Sequence, residues 1–137
     1  MFRQVLVPVD FTEGSARAVD VAAGLVAEAG SITLLHVVQT VPGIDPESDV
    51  EFYERLEKAA GAKMEKLGER LGEHGIAWNA LLVVGNRFDE ILNAAEAAAD
   101  LLVVSSQRID FDAPETVGGT MSFRLALAAP CPVLLLK

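Results

Sequence analysis

QVLVPVDFTEGSARAVDVAA, residues 4–23, carries the reading of the fold. Its first six residues, Gln4 to Val9, form a short apolar run that stops at Asp10. A half-buried strand alternates apolar and polar residues, so an unbroken run of this length fits a strand covered on both faces. A polar turn follows. Thr12 is placed to cap a helix, because its hydroxyl can accept from the free N–H groups of a first turn. Ala16, Val19, Ala23 and Val26 recur at 3-4-3 spacing, one face of that helix. Gly30 stands where a helix ends on a left-handed residue. The unit is a buried strand, a turn, and a helix that packs back on the strand.

The same unit recurs along the chain. Ile32 to Val38, ITLLHVV, is a second buried strand. Gln39 to Glu47 holds Pro42, Gly43 and Pro46 and reads as a mobile loop with few groups to anchor it. Ser48 and Glu51 fit a capping box. Tyr53, Leu56, Ala60, Met64, Leu67 and Leu71 keep a helical rhythm up to Gly75. Ile76 to Val84 is a third strand, and Asn86 caps a helix from Arg87 to Ala99. Leu101 to Val104 is a fourth strand. A polar segment, Ser105 to Gly118, leads to Gly119-Thr120 and a last helix through Ala128. Pro130 and Pro132 stop it, and Val133 to Leu136 is a fifth strand. Such alternation implies the α/β class, a parallel sheet with helices on both faces. Ligands of such sheets bind beyond the carboxyl ends of the strands, where the strand order switches. The segments that matter are therefore Val9 to Glu13, Val38 to Glu47 and Ser105 to Thr120.

Composition narrows the partners. The 137 residues read as one domain spanning 1–137, and 51% of them are hydrophobic, too many for a disordered chain. Eleven basic residues face 20 acidic ones, a net charge of -9. That balance repels phosphate backbones and anionic lipid surfaces, so neither nucleic acid nor membrane is an expected partner. A single cysteine cannot make an internal disulfide, and no Cys/His set has zinc spacing. A reducing, cytoplasmic setting follows. The N-terminal apolar run is too short for a signal peptide. The longest apolar stretch is broken by two prolines and cannot span a bilayer.

Chemistry-bearing motifs are sparse. There is no P-loop and no G-x-G-x-x-G, and no G-x-S-x-G surrounds Ser105 or Ser106. Gly118-Gly119-Thr120 precedes a helix, whose free N–H groups and dipole favour an anion. The same residues serve equally as a turn with a threonine cap. Asp10 ends the first strand and either faces a ligand or caps the first helix. His36 fits a packed, hydrogen-bonded core residue, and His74 a helix C-terminus. Asp110, Asp112 and Glu115 lack the calcium-loop pattern and read as a solvated acidic loop. Cys131, between two prolines, reads as a structural thiol.

Four segments taken together carry a resemblance. VLVPVDFTEGSARAVDVA, ITLLHVV, ADLLVVSS with the later GGT, and the closing APCPVLLLK resemble the universal stress protein family over essentially the whole chain. The resemblance implies a Rossmann-like fold of the adenine nucleotide alpha hydrolase-like type, with five parallel strands in the order 3-2-1-4-5. It also implies a homodimer. In that order Val133, Leu134, Leu135 and Leu136 form an edge, and an apolar edge invites two-fold pairing with itself.

Many members of that family hold ATP with a loop of the form G-x2-G-x9-G-[ST]. Relatives set the counterpart of Asp10 beside the nucleotide and the backbone at Val38 against adenine. They set the counterpart of Pro8 near the cleft, with a locally open ladder. The nucleotide cleft implied here comprises Pro8, Val9, Asp10, Val38, Ser105, Arg108, Gly118, Gly119 and Thr120. Gly119-Thr120 matches the end of the motif. Ser105 and Arg108, however, replace its first two glycines, and the stretch from Arg108 to Gly119 is one residue too long. Side chains at those places remove the clearance that lets backbone approach a phosphate. The preferred expectation is a cytoplasmic homodimer that acts in stress response by binding, not catalysis, with weak or absent ATP affinity and no certain cofactor. A second reading is an ATP or AMP switch whose phosphates lie on Arg108 and Gly119-Thr120. A third, a small nucleotide hydrolase, lacks a base or metal constellation.

Overall fold

The computed structural model describes residues 2–106, 112 and 120–137. The chain runs β1 (Phe2–Pro8), α1 (Glu13–Leu25), β2 (Val26–Gln39), α2 (Val50–Glu73), β3 (Ala77–Gly85), α3 (Arg87–Ala98), β4 (Leu101–Ser105), α4 (Met121–Ala128) and β5 (Val133–Leu136). The five strands form one sheet in the order β3-β2-β1-β4-β5. All four pairings are parallel. This is the α/β architecture and the strand order expected from the sequence.

The unbroken apolar runs are explained by two cores, one on each face. Val5, Val7 and Val9, Ile32 and Leu34, and Leu101 and Val103 pack with Ala18, Val19 and Ala22 of α1 and Met64 and Leu71 of α2. Their neighbours in sequence point the other way. Leu6, Leu35, Val37, Leu102 and Val104 pack with Ile91 and Ala95 of α3 and Leu125 of α4. Successive strand residues face opposite sides, so only an all-apolar strand can serve both layers.

Local signals set the helix ends. Thr12, Asn86 and Thr120 are N-caps whose side chains accept from Ser15, Asp89 and Phe123 N–H. Gly75 takes a left-handed φ of 72° after α2. Its N–H donates to the Gly72 carbonyl, and the Ile76 N–H reaches back to Leu71 at 3.1 Å. That pair of bonds is a Schellman closure, which favours glycine at the left-handed place because it lacks a Cβ.

Four expectations are corrected. Gly30 does not close α1, for the helix stops at Leu25 and β2 begins at Val26. A Cβ on Gly30 would lie 2.6 Å from the Arg3 carbonyl oxygen, so its glycine serves a close approach to β1. There β2 bulges: Phe2 pairs with Val26 but Gln4 pairs with Ser31. The buried face of α1 is Ser15, Ala18, Val19 and Ala22, turned from the expected stripe of Ala16, Val19, Ala23 and Val26. The capping box of Ser48 and Glu51 does not form. Asp49 is the N-cap, without a side-chain capping bond, and its carboxylate accepts from Asp45 N–H instead. Leu56 is 40% exposed, while Gly68 takes a place in the buried seam of α2. Trp78 of β3 lies on Gly68, where a Cβ would meet its indole carbons at 2.2 Å.

The loop between β2 and α2 is better anchored than its sequence suggests. Tyr53, 3% exposed, donates its hydroxyl to the Ile44 carbonyl at 2.6 Å and accepts from Val41 N–H at 3.0 Å.

Candidate functional site

The cleft begins with a defect in hydrogen bonding. β1 pairs with β2 as far as Pro8↔Leu35. Its pairing with β4 covers only Val5↔Leu101 and Leu6↔Leu102. The Val9 N–H donates to Leu35 on the β2 side. Strand N–H groups alternate in direction, so the donor that Pro8 lacks would have faced β4. The β1–β4 ladder therefore opens at the carboxyl ends of the two central strands. That is where the strand order reverses, the usual ligand position in such a sheet.

A cavity of about 290 Å³ occupies this opening. Among its described lining residues, Leu35, Val37, Ile91, Val104 and Leu125 make an apolar floor. Ser105, Ser106, Thr120 and Ser122 bring hydroxyls from β4 and α4, and Asp10 and Arg87 bring charges. Ser106 and Ser122 share a hydrogen bond of 2.7 Å between their hydroxyls. Ser105 lies against the start of α1, where a Cβ on Gly14 would be 3.1 Å from its own Cβ. Gly14 thus permits α1 to enter close to the end of β4.

Asp10 is held by the first turn of α1. Its Oδ1 accepts from the Ser15 hydroxyl at 2.5 Å, the Thr12 hydroxyl at 2.6 Å and the Thr12 N–H at 3.1 Å. The Ser15 oxygen in turn accepts from the Asp10 N–H at 2.8 Å. Burial on its own raises the Asp10 pKa. The hydrogen bonds from Ser15 and Thr12, with the charge of Arg87, more than offset it, and the pKa falls below the ordinary carboxylate value. Three donors on one oxygen favour the anion. Asp10 therefore braces the helix start while it lines the cavity, with its anion favoured.

The next residue is strained. Phe11 has φ 66°, outside the region an aromatic residue prefers. Its ring lies 4.6 Å from that of His36, and the Lys63 ammonium sits 5.4 Å from the Phe11 centroid. His36 Nδ1 is 2.8 Å from the Val9 carbonyl, and a carbonyl can only accept, so Nδ1 carries the proton. His36 is thus a half-buried, hydrogen-bonded residue under the β1–α1 turn. His74 caps α2 and bonds to the Arg70 carbonyl.

Of the cleft residues read from sequence, Pro8, Val9, Asp10, Ser105 and Thr120 line the cavity. The Val38 side chain does not: it is buried, while Leu35 and Val37 face the opening, and the expectation at Val38 concerns its backbone alone. Side chains alternate along β2, so the odd-numbered residues look toward α3. Arg108, Gly118 and Gly119 lie outside the described residues, as do Asp110 and Glu115. No group of three metal-ligating side chains gathers among the described residues. Burial, with the Asp100 carboxylate, pushes the Cys131 thiol up, as suits a structural cysteine. Arg87, Ser15 and Ser122 escaped the sequence reading. Arg87 directly follows the turn after β3, a position at the carboxyl rim that deserved equal weight.

A five-stranded parallel sheet opened at its switch point, with hydroxyls, one acid and one guanidinium around an apolar floor, is a Rossmann-like α/β architecture with a cleft at its carboxyl rim. The family model described as "Universal stress protein family" matches residues 1–137, and the chain belongs to that family. Universal stress protein YxiE of Bacillus subtilis (strain 168) is 30% identical over 149 residues, covering 100% of both chains. Among solved structures, the hypothetical protein MJ0577 matches with a TM-score of 0.85 at 26% identity, covering 100% of this chain and 96% of that one. A universal stress protein in complex with cAMP matches with a TM-score of 0.76 at 22% identity, covering 99% and 97% of the two chains. No described helix is long and apolar enough to cross a membrane.

Proposed function

We propose that this universal stress protein acts in stress response by binding, as a cytoplasmic homodimer, and that its ligand is an adenine nucleotide of low charge held at the β1–β4 opening. The observation that carries the reading is the opening itself: a backbone ladder interrupted at Pro8, with an apolar floor on one side and hydroxyls on the other. An apolar slot suits a base, and convergent polar groups fix a sugar or phosphate. One structural relative was solved with cAMP, which supports a nucleotide of this class. Against ATP stand Ser105, whose side chain occupies the end of β4, and the net charge of -9.

Binding without turnover fits the state of Asp10. An acid whose Oδ1 already accepts three hydrogen bonds and whose pKa is lowered is a poor general base. The homodimer reading rests on β5, an edge strand whose four residues are each half-buried.

Titration calorimetry with adenosine, AMP, cAMP and ATP tests the proposal, alongside phosphate release over hours. Adenosine and the monophosphates are expected to bind, ATP more weakly, with no release of phosphate. Submicromolar ATP affinity would favour the phosphate-loop switch instead, and turnover would overturn the binding-only reading.

A further inference from the structure

Arg87 opens α3, and its backbone N–H donates to Gln39 Oε1 at 3.1 Å, which fixes the helix start over the end of β2. Arg87 and Ile91 are one turn apart on the same helix face, and both line the cavity. The Arg87 side chain is half-buried. Among the described residues it has no hydrogen-bonding or ion-pair partner for its guanidinium. The charge nevertheless acts on Asp10 across the mouth of the cavity.

Half-burying an unpartnered guanidinium is costly, and such groups are usually paired. Here it faces a cavity whose other described charge is Asp10, held ionised by Ser15 and Thr12. Without Arg87 the described lining presents only a carboxylate to an incoming ligand, in a chain whose net charge is already -9. Any anion would be repelled there. With Arg87 the pair is neutral, and five N–H donors await an anion.

Resting on the nucleotide reading above, we propose that Arg87 is the specificity-determining residue of the cleft. It makes the site prefer phosphorylated adenosine, a nucleoside monophosphate, over the neutral nucleoside. A charge-assisted contact of this kind corresponds to about ten- to a hundredfold in affinity. The apolar floor and the hydroxyl wall bind the neutral part of the ligand and do not depend on Arg87.

Calorimetry of the full chain with adenosine and with AMP, for the wild type, Arg87→Gln and Arg87→Lys, decides the matter. The wild type should bind AMP at least about tenfold more tightly than adenosine. Arg87→Gln should bring that ratio near one while adenosine affinity stays within about twofold. Arg87→Lys, which keeps the charge, should retain most of the preference and lose it in high salt. A ratio unchanged in Arg87→Gln, or a wild type without preference, overturns the inference while the cleft reading stands. So does an equal loss for both ligands, because Arg87 would then be structural. A wild type that binds neither ligand overturns the cleft reading and this inference with it.

Discussion

Replacing Ser15 with alanine isolates the brace between β1 and α1. Ser15 is 1% exposed, and its one oxygen accepts from the Asp10 N–H and donates to Asp10 Oδ1. Ser15→Ala removes both bonds and leaves no room-matched partner for either group. A hydrogen bond to a charged group contributes about 1.5–3 kcal/mol, and water can re-solvate the exposed side of Asp10. A net loss of about 2 kcal/mol is therefore expected, a fall in Tm of about 6–8 °C for a domain of this size. The pH dependence carries the sharper test. Asp10 has a folded pKa below its unfolded value. Its contribution to stability is fully present above the unfolded pKa and disappears as pH falls through the folded one. Urea denaturation of wild type and Ser15→Ala should show the largest gap at neutral pH, narrowing in acid below the ordinary carboxylate range. The remaining carboxylates are common to both proteins and cancel in the difference. A gap under about 0.5 kcal/mol at pH 7, or one that widens in acid, would refute the reasoning.

Other outcomes follow from the packing. Gly68→Ala forces a methyl group into the Trp78 indole and should cost about 1–3 kcal/mol, read from the urea midpoint and from the fluorescence of the chain's single tryptophan. An unchanged midpoint would mean that α2 yields freely. Tyr53→Phe removes the hydroxyl that holds Val41 and Ile44. The Val41 amide should be protected from exchange in the wild type and lose that protection in the variant, with about 1 kcal/mol of stability. Leu135→Glu on the edge strand β5 should convert a dimer to monomer in sedimentation while circular dichroism stays that of the wild type. A wild type that sediments as a monomer would defeat the pairing.

What the sequence discloses depends on how local the physics is. Thr12, Asn86 and Thr120 were legible because a cap is a contact between residues three apart. Gly75 was legible because a left-handed closure follows directly on the helix it ends. Gly30 was not, since its reason is the backbone of Arg3, a strand away. Gly68 went unread for the same cause: Trp78 claims its space from another element. Pro8, Val9, Asp10 and Ser105, which line the cavity, were legible because they end or follow central strands, and Thr120 because it caps α4. The part expected of Val38 belongs to its backbone, so the direction of its side chain, away from the cavity, does not bear on it. Arg87 was missed because nothing in its neighbours tells whether a charge at a helix start turns to solvent or inward. The loop tether was missed because Tyr53 looked like one more core position of α2.

The missing N–H of Pro8 has a consequence for how such a protein diversifies. An aperture made by the main chain persists whatever side chains surround it. Exchanging Arg87, Ser105 or Thr120 changes the lining of the cavity, while the gap between β1 and β4 remains. The gap and its lining are thus encoded at separate positions. One imino acid keeps a gap in the sheet, and the side chains around it can be exchanged without closing it.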